Sequence, residues 1–410
     1  MHIQRLWFKF SPAERGWLFY DWANSSFSLI VVTAVLPIWL ATVGQNSEIS
    51  TASTTAWWSY ANSTSTLIVA ILAPLLGTLA DFQGWKKVMW AIATSLGVVG
   101  TLLLAVVPEN GFWELLGLFM LANIGYSIAN LYYDAFLTDV TTTARMSQIS
   151  SWGFGIGYIG GVLPFVIFYL VRGLMSGEAG VLFAFVLAGL WWGIFSLPML
   201  FHVRQKHYLA VPVQPIRAAW QRLRTTVRHL AAYPKIVGFL VAYFFYIDGV
   251  NTIITEAALF ATAVGIQTTT LLTILLAVQL IAFPASIIFG RLANRFGERR
   301  MILVGIGIYA FIAVLSLFIR AAWGFWLMAT LIGLAQGGIQ ALSRSYFGRL
   351  IPKERASEFF GFYNIFGRFS AVLGPVVFGT VSALTGQVQF GAASLLIFFV
   401  LGGWIFAKYA

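Results

Sequence analysis

Two stripes of polar side chains, one in each half of the chain, have the types and spacing needed to bind a small solute. The first is Asp21-x-x-Asn24-Ser25-x-x-Ser28, and it recurs 227 residues later as Asp248-x-x-Asn251-Thr252-x-x-Thr255. Residues spaced at i, i+3, i+4 and i+7 share one face of an α-helix. Each stripe therefore presents a carboxylate, an amide and two hydroxyls together, which can hydrogen-bond a polar solute or carry a proton.

A second pair of stripes has the same character. One contains Asn123, Ser127, Asn130 and Asp134, and the other contains Gln336, Gln340, Ser343 and the adjacent Arg344. A single amide or hydroxyl in a membrane helix often only joins it to a neighbour, at about 0.6 kcal/mol. Because four matching stripes occur, we expect them instead to line a water-filled cavity.

One arginine, Arg368, falls in the middle of an apolar segment. Such a charge is costly within a bilayer unless it is paired, so it needs a carboxylate or an anionic solute group. We expect Asp248 as its partner in a static ion pair, or else a bound carboxylate or phosphate, with Asp21 or Asp134 meeting an amine. Asp21, Asp134 and Asp248 are also the candidates for proton coupling.

The elements that must position these groups are transmembrane helices. Of the 410 residues, 59% are hydrophobic and 10% are charged, against about 25% charged in soluble proteins. This composition excludes a soluble enzyme and a disordered chain, and it predicts an all-α polytopic membrane protein with two pseudo-symmetric six-helix bundles. Apolar runs long enough to cross a bilayer lie near residues 17–43, 57–80, 87–107, 112–137, 149–171, 181–201, 236–262, 270–293, 301–320, 323–347, 358–383 and 388–407.

Positive charge lies mostly on one side of these twelve predicted spans. All of the 25 lysines and arginines except Arg172, Arg320 and Arg368 fall on the side that holds the N-terminus. The positive-inside rule places that side in the cytoplasm, together with both termini, as an even number of spans requires. The asymmetry explains the net charge of +11 without nucleic-acid binding, and it predicts a multi-pass protein of the cell (inner) membrane.

The sequence predicts three parts, with residues 1–201 and 236–410 as the two bundles and residues 202–235 as a basic cytoplasmic linker. The linker holds seven basic residues and no acidic one. Ile216, Trp220, Leu223 and Val227 recur within it at helical spacing, which is typical of an amphipathic helix lying on anionic headgroups. A specific regulatory lipid site in the linker is the alternative.

A loop motif also occurs twice, at a constant offset of 213 residues. Gly77-Thr-Leu-Ala-Asp81-Phe-Gln-Gly84-Trp-Lys86-Lys87 matches Gly290-Arg-Leu-Ala-Asn294-Arg-Phe-Gly297-Glu-Arg299-Arg300. The same offset relates Asn123 to Gln336 and Asn130 to Ser343. Such internal repeats are typical of secondary transporters, whose solute sites lie near the bilayer midplane at the repeat interface.

This motif resembles the signature loop between the second and third helices of the major facilitator superfamily. The resemblance implies a twelve-helix, two-bundle fold with alternating access. It assigns to Asp81 the role of holding the cytoplasmic side shut near a helix end of the opposite half. We call a contact that holds this side shut a latch. In the second copy Asn294 replaces the acid, so we expect the second latch to rest on neutral hydrogen bonds. The other predicted gate residues are Gly77, Gly84, Lys86, Lys87, Gly290, Gly297, Arg299, Arg300 and Arg344.

Two further stretches are similar to a narrower family, the autophagy-related vacuolar effluxers and their bacterial relatives. They are Tyr20-Asp21-Trp22-Ala23-Asn24-Ser25-Ser26-Phe27 and Gln340-Ala-Leu-Ser-Arg344-Ser-Tyr-Phe-Gly-Arg349-Leu-Ile-Pro352, followed by Glu358-Phe-Phe-Gly361 and Gly374-Pro375. This resemblance implies amino-acid export. We therefore expect a secondary transporter of a small polar solute, an amino acid or a similar zwitterion, with protons as the candidate coupling ion.

The alternatives are a lipid or lysolipid flippase, an exporter of another small organic solute, and a channel. An intramembrane enzyme is disfavoured because the sequence lacks protease and phosphatase motifs. With no cysteine and no histidine in a predicted span, we expect no metal site and no cofactor. The expected partners are the solute, membrane lipids and protons, and the chain is expected to act as a monomer.

Overall fold

A computed structural model describes residues 9–175, 177–229, 232–263 and 265–409, most of them helical and none of the described residues in a β-strand. Arg5, one of the predicted cytoplasmic charges, lies outside these residues. Twelve helices in the described chain are long and apolar enough to cross a bilayer, which confirms the predicted all-α polytopic fold. They are Pro12–Asn46, Thr51–Ala80, Trp85–Val106, Phe112–Val140, Thr143–Arg172, Gly177–His202, Pro234–Ala257, Thr273–Phe296, Glu298–Phe318, Trp323–Leu350, Lys353–Thr385 and Val388–Tyr409.

The first span is not a uniform α-helix. Ser11 caps its start, because the Glu14 N–H donates to the Ser11 hydroxyl and the Ser11 N–H donates to the Glu14 carboxylate, a capping box. After the α-helical stretch Pro12–Ser26, the backbone is π-helical over Phe27–Val35. Such π-helical segments are frequent at functional sites, and this one contains Ser28, the last residue of the polar stripe that begins at Asp21.

The chain divides into two compact units. Unit 1 comprises Met1–Thr142, Ile156–Trp220 and Lys353–Gly361, and unit 2 comprises Thr143–Gly155, Gln221–Pro352 and Phe362–Ala410. The start of the eleventh span therefore belongs to unit 1, and the start of the fifth span belongs to unit 2. The division of the chain at residues 201 and 235 stays a prediction.

The same pairs of spans pack within each unit. In unit 1 the first span packs on the sixth and the third on the fourth, and in unit 2 the seventh packs on the twelfth and the ninth on the tenth. This correspondence is what the sequence repeat predicts. After the sixth span, a shorter helix at Pro215–Arg228 follows, which we call the linker helix.

Candidate functional site

The polar stripes of the first and fourth spans meet in unit 1. The Asn24 side-chain amide donates to the Asn130 carbonyl oxygen at 2.8 Å, and the Tyr133 hydroxyl donates to Asp21 Oδ2 at 2.9 Å. Both bonds join positions that helical spacing places on one face of each span. The predicted residues Asp21, Asn24 and Asn130 therefore form one hydrogen-bonded group, to which Tyr133 is an addition that the sequence did not suggest.

Glycines of the fifth span let it approach this group closely. A Cβ atom at Gly157 would lie 3.2 Å from Asp21 Oδ1, and one at Gly160 would lie 2.6 Å from the Cα atom of Trp22. A residue larger than glycine would therefore have to displace the Asp21 side chain at position 157 and the backbone of the first span at position 160. The glycines thus let the backbone of the fifth span lie directly against Asp21 and Trp22. The fifth span therefore closes off one side of the Asp21 carboxylate.

The remaining predicted groups of unit 1 lie along the fourth span. Asn123 is buried, and its amide donates to Asn62 on the second span over a long 3.4 Å. Asp134 is half-buried. Asn62 was missed by the sequence analysis, since it lies in an ordinary-looking run of small and polar residues.

In unit 2 the counterpart of Asp21 has a different environment. Asp248 is fully buried, and its two carboxylate oxygens each lie 3.0 Å from the backbone nitrogen of Gly374 on the eleventh span. The Thr252 hydroxyl lies 3.4 Å from Oδ1. Among the residues that the structure describes, no salt bridge joins Asp248 to Arg368, so the expected ion pair between them is wrong.

The local sequence explains why Asp248 reaches the backbone here. Glycine at position 374 has no side chain, and a Cβ atom there would collide with the Thr252 hydroxyl and lie 2.6 Å from Asp248 Oδ1. Pro375 follows inside the helix and has no N–H of its own. The Gly374-Pro375 pair therefore leaves the eleventh span open to a buried carboxylate from the seventh.

Three predicted amides of unit 2 have no hydrogen bond from their side chains to any residue in the described part of the chain. They are Asn251, Gln336 and Gln340, and all three are half-buried, as is Arg368. Ser343, which shares the helix face of Gln336 and Gln340, accepts or donates a 2.7 Å bond with Tyr246 of the seventh span. This face of the tenth span is therefore turned towards Tyr246 of the seventh.

The predicted latch at Asp81 is present in unit 1. The Asp81 carboxylate accepts from the backbone N–H groups of Ser357 at 2.8 Å and Glu358 at 3.2 Å. These are N–H groups of the first helical turn, which lack partners within their own helix and attract negative charge. Gly77 makes the approach possible, since a Cβ atom there would collide with the Ser357 carbonyl.

A buried ion pair supports the same loop. Lys86 Nζ lies 2.8 Å from Asp139 Oδ2 with both side chains fully buried, and the ammonium group also lies 5.3 Å from the centre of the Phe136 ring. Lys87 is half-buried. Asp139 was missed by the sequence analysis, because the last turn of an apolar span gives no signal of which cation it meets.

The second latch lies in unit 2 and is charged. Glu298, at the start of the ninth span, accepts from the hydroxyls of Ser147 and Ser345, the latter at 2.5 Å. Arg349 Nε lies 3.3 Å from Glu298 Oε2, and Arg349 also donates to the Ser147 hydroxyl at 2.7 Å. The start of the fifth span is thus held by an ion pair and serine hydroxyls.

Arg344, predicted as a gate residue, binds the same segment. Its guanidinium donates to the Ser150 hydroxyl at 2.9 Å and to the Ser150 carbonyl at 3.1 Å, and it lies 4.4 Å from the centre of the Phe154 ring. Gly290 permits this approach, because a Cβ atom there would lie 2.6 Å from the Ser151 side chain.

The expectation of a neutral second latch is therefore wrong. Asn294 is exposed and has no hydrogen bond from its side chain to the described residues. Glu298, four residues later and across the loop, supplies the carboxylate instead. Gly84 and Gly297 have positive φ angles of 81° and 92°, which favour glycine. Arg299 and Arg300 are exposed, and Arg299 donates to the Ala407 carbonyl.

Solved transporter structures share this fold. The chain aligns with the proton:xylose symporter XylE at a TM-score of 0.74 and 13% identity, covering 97% of this chain and 94% of that one. It aligns with the human organic anion transporter MFSD10 (TETRAN) at 0.75 and 14%, covering 96% and 98%. These likenesses establish the fold. Together with the family match and the 43% identical MFS-type relative given next, they define a transporter of the major facilitator superfamily and not an enzyme.

Within that class, the chain belongs to the family described as "Vacuole effluxer Atg22 like", whose model matches residues 12–408. It is 43% identical over 401 residues to the MFS-type transporter YxiO of Bacillus subtilis, covering 96% of this chain and 94% of that protein. Autophagy-related protein 22 of Eremothecium gossypii is 22% identical over 431 residues, covering 88% and 83%. The resemblances to the superfamily and to the narrower family are both confirmed.

Proposed function

We propose that this protein moves a small zwitterionic solute, such as an amino acid, across the membrane by alternating access, with protons as the coupling ion. The effluxer family supports an export role. Two structural neighbours, XylE and FucP, are described as proton symporters, which supports protons as the ion. The residues of unit 2 support both the solute class and the coupling.

The environment of Asp248 is the observation that carries the proposal. The carboxylate is fully buried, and its hydrogen bonds within the described chain come only from a backbone N–H and a hydroxyl. A buried charge without an opposite charge is costly. Asp248 therefore favours a bound proton while it is enclosed and can release that proton when water reaches it, which is what coupling requires.

The unbonded amides of unit 2 provide the solute contacts. Asn251, Gln336 and Gln340 each offer donors and acceptors, which suit the ammonium and carboxylate groups of a zwitterion. Arg368 offers a guanidinium, which binds carboxylates with charge-assisted hydrogen bonds. In this proposal Asn24, Asn123 and Asn130 of unit 1 hold the surrounding helices together.

We also propose that the protein lies in the cell membrane with both termini in the cytoplasm. The support is the distribution of Lys and Arg between the two sides of the spans. In this orientation the two latches close the cytoplasmic side, and they must open for the solute to enter from or leave to the cytoplasm.

The first experiment is a thermal-shift screen of the purified protein with amino acids, dipeptides and sugars, followed by flux in proteoliposomes with and without a pH gradient. We expect a zwitterion to raise the Tm and to show saturable flux that a pH gradient accelerates. Asp248→Asn should keep the thermal shift and lose the response to the gradient. Glu256→Gln, which changes another acid eight residues further along the same helix, is the matched control and should respond like the wild type.

Other outcomes would replace the proposal. Translocation of a lipid probe without small-solute flux would indicate a flippase, and flux that neither saturates nor responds to solute on the opposite side would indicate a channel. A pH response that persists in Asp248→Asn would remove this residue from the coupling while leaving solute transport in place.

A further inference from the structure

The chain that follows the sixth span is bonded to the signature loop, residues 77–87. Gln205 binds the loop with both ends of its side-chain amide: the oxygen accepts from the Gly84 N–H at 2.9 Å, and the nitrogen donates to the Ala80 carbonyl at 3.1 Å. Gly84 is the residue of the turn that has a positive φ angle. The hydrogen bond from its N–H to Gln205 therefore fixes the turn at this residue. We call residues 203–211 the strap.

Leu209 of the strap pairs with the loop like one residue of a β-ladder. Its N–H donates to the Asp81 carbonyl at 2.8 Å, and its carbonyl accepts from the Gln83 N–H at 3.0 Å. The pair forms an isolated parallel bridge opposite Phe82. The strap therefore holds the backbone of the same residue whose carboxylate makes the first latch.

A third attachment lies between these two. The backbone N–H groups of Lys206 and His207 donate to Asp139 Oδ1 at 3.0 and 2.9 Å. The other oxygen of Asp139 binds Lys86 of the signature loop. One buried carboxylate thus joins the strap to the loop, and any displacement of the strap must break or move these bonds together.

The linker helix continues from the strap and rests on the same loop. Ala219 is fully buried in a cluster with Leu79 and Phe82, against which Trp85 and Ala218 also pack. The side of the helix that carries Ala219 is therefore occupied by the signature loop, and we call the remaining sides its outer sides.

Two rows of exposed side chains lie on those outer sides. Ile216, Trp220 and Val227 are 68%, 59% and 50% exposed, and their spacing of i, i+4 and i+11 places them in one row. The neighbouring row, shifted by one residue, is cationic. Its members are Arg217, Arg224 and Arg228, all exposed.

An apolar row beside a row of guanidinium groups matches the interface of an anionic phospholipid leaflet. Trp and aliphatic side chains enter the boundary between headgroups and acyl chains, while arginines bind the phosphates. No acidic residue lies between residues 202 and 235 to oppose this charge. The helix is also held near a bilayer, since it lies between spans that end at His202 and begin at Pro234.

We propose that the linker helix binds anionic phospholipids, and that this binding acts through the strap to hold the signature loop where Asp81 reaches the eleventh span. Anionic headgroups thereby favour the closed state of the first latch. The proposal takes the closing role of that latch from the proposed function, but its test needs neither a known solute nor a transport assay.

The test uses the full chain in nanodiscs of phosphatidylcholine, alone or mixed with phosphatidylglycerol. Because the chain has no cysteine, an environment-sensitive fluorophore can be attached through Ile216→Cys, with Thr225→Cys on the polar side as the label control. Hydrogen exchange of the Gln83 and Gly84 amides reports on the loop. We expect phosphatidylglycerol to shift the emission of the Ile216→Cys label to the blue, to leave the Thr225→Cys label unchanged, and to slow exchange at both amides.

Further variants separate lipid binding by the linker helix from the effect of that binding on the signature loop. Arg224→Gln with Arg228→Gln should abolish both responses, since each arginine contributes about fivefold to binding an anionic surface, or about 25-fold for two. Arg291→Gln with Arg295→Gln removes the same charge from exposed positions in the last two turns of the eighth span and should keep both responses. Gln205→Ala should keep the emission shift and lose most of the slowing at Gly84.

Each opposite result overturns the proposal. An emission that does not depend on phosphatidylglycerol, or that both double variants change equally, would show that the helix does not recognise anionic lipid. An emission shift without slower exchange at Gln83 and Gly84 would remove the link to the loop. Crosslinking of two chains through Ile216→Cys in both lipid mixtures would assign the apolar row to a second copy of the chain.

Discussion

The polar stripes of the two units contain similar residues but differ in how those residues are used. In unit 1, Asn24 bonds Asn130, and Tyr133 bonds Asp21. In unit 2, Asn251, Gln336 and Gln340 make no side-chain bonds within the described chain. The difference supports the proposal that unit 1 uses its amides to hold helices together, whereas unit 2 keeps them for a ligand.

The two carboxylates that begin the stripes differ in the same sense. Asp21 is half-buried beside a tyrosine hydroxyl, whereas Asp248 is fully buried against the backbone of the eleventh span. Matching positions of the two stripes therefore lie in different environments, and of the two only that of Asp248 combines complete burial with hydrogen bonds from uncharged groups alone. We expect the two aspartates to respond differently to the same substitution.

The largest expected effect is that of Asp248→Asn. Uptake driven by a pH gradient should fall about 10- to 100-fold, because a hydrogen-bonded charge contributes about 1.5–3 kcal/mol and asparagine cannot carry the proton. Asp21→Asn is the matched variant in unit 1 and should retain the response to the gradient at a reduced rate. An equal loss of gradient-driven uptake in both variants would show that the two aspartates have the same role. Proteoliposome flux with and without the gradient measures both.

Arg368→Ala should also remove most transport without blocking insertion. The loss of a charge-assisted contact with the solute carboxylate predicts an affinity about 10- to 100-fold lower, and therefore the loss of the solute-dependent thermal shift. Arg368→Lys keeps the charge without the planar donor pair and should recover part of the affinity. A thermal shift of wild-type size in Arg368→Ala would show that this arginine does not bind the solute.

The two latches extend the comparison to the signature loop. Asp81→Asn replaces a carboxylate at a helix N-terminus, which contributes up to about 2 kcal/mol when partly buried, so the first latch should open about 5- to 30-fold more often. The labelling rate of Ser357→Cys by a maleimide added to the cytoplasmic side measures this. Asn294→Ala should leave the rate unchanged, because Asn294 is exposed and outside the second latch.

The second latch should weaken when its own acid is neutralised. Glu298→Gln removes the ion pair with Arg349 and weakens the bonds from Ser147 and Ser345, which predicts a loss of roughly 1–3 kcal/mol. The same labelling assay with Ser151→Cys reports on it. An unchanged rate for Glu298→Gln together with a faster one for Asn294→Ala would restore the neutral latch that the sequence predicts.

The smallest effects are expected for single amide side chains, and they distinguish amides that join helices from amides that bind the solute. Asn130→Ala should destabilise the protein by about 0.6–1.7 kcal/mol, the range for hydrogen bonds between membrane helices, with little change in KM. Gln340→Ala should instead raise KM about fivefold and leave the stability unchanged, since the Gln340 side chain makes no hydrogen bond within the described chain. Thermal unfolding and flux kinetics on the same preparations measure both. A destabilised Gln340→Ala would contradict the division of roles.

The sequence predicts most of what depends on local periodicity. Span number, the repeat, the facing of Asn24 and Asn130 and the contact of Asp81 with a helix end all follow from spacing within one helix or from a contiguous motif. The partners that come from distant segments do not. Asp139 and Glu298 are single acids near span ends, and nothing in their neighbourhood indicates which cation or hydroxyl they meet.

The two wrong expectations have the same cause. The second latch was placed at Asn294 because the motif aligns there, yet the close approach at Gly290 brings Ser147 to Glu298 instead. The pairing of Asp248 with Arg368 rests only on opposite charge and on a place in the same half of the chain. The sequence gives no measure of how closely Gly374 lets the seventh and eleventh spans approach, and that distance decides which donor Asp248 meets.

We propose that Asp248 takes up and releases a proton as the solute binds. The decisive experiment adds an identified solute to weakly buffered, detergent-solubilised protein and follows the pH with an indicator dye. We predict a solute-dependent proton exchange in the wild type and in Asp21→Asn, and none in Asp248→Asn at saturating solute. Proton exchange of wild-type size in Asp248→Asn would contradict the account.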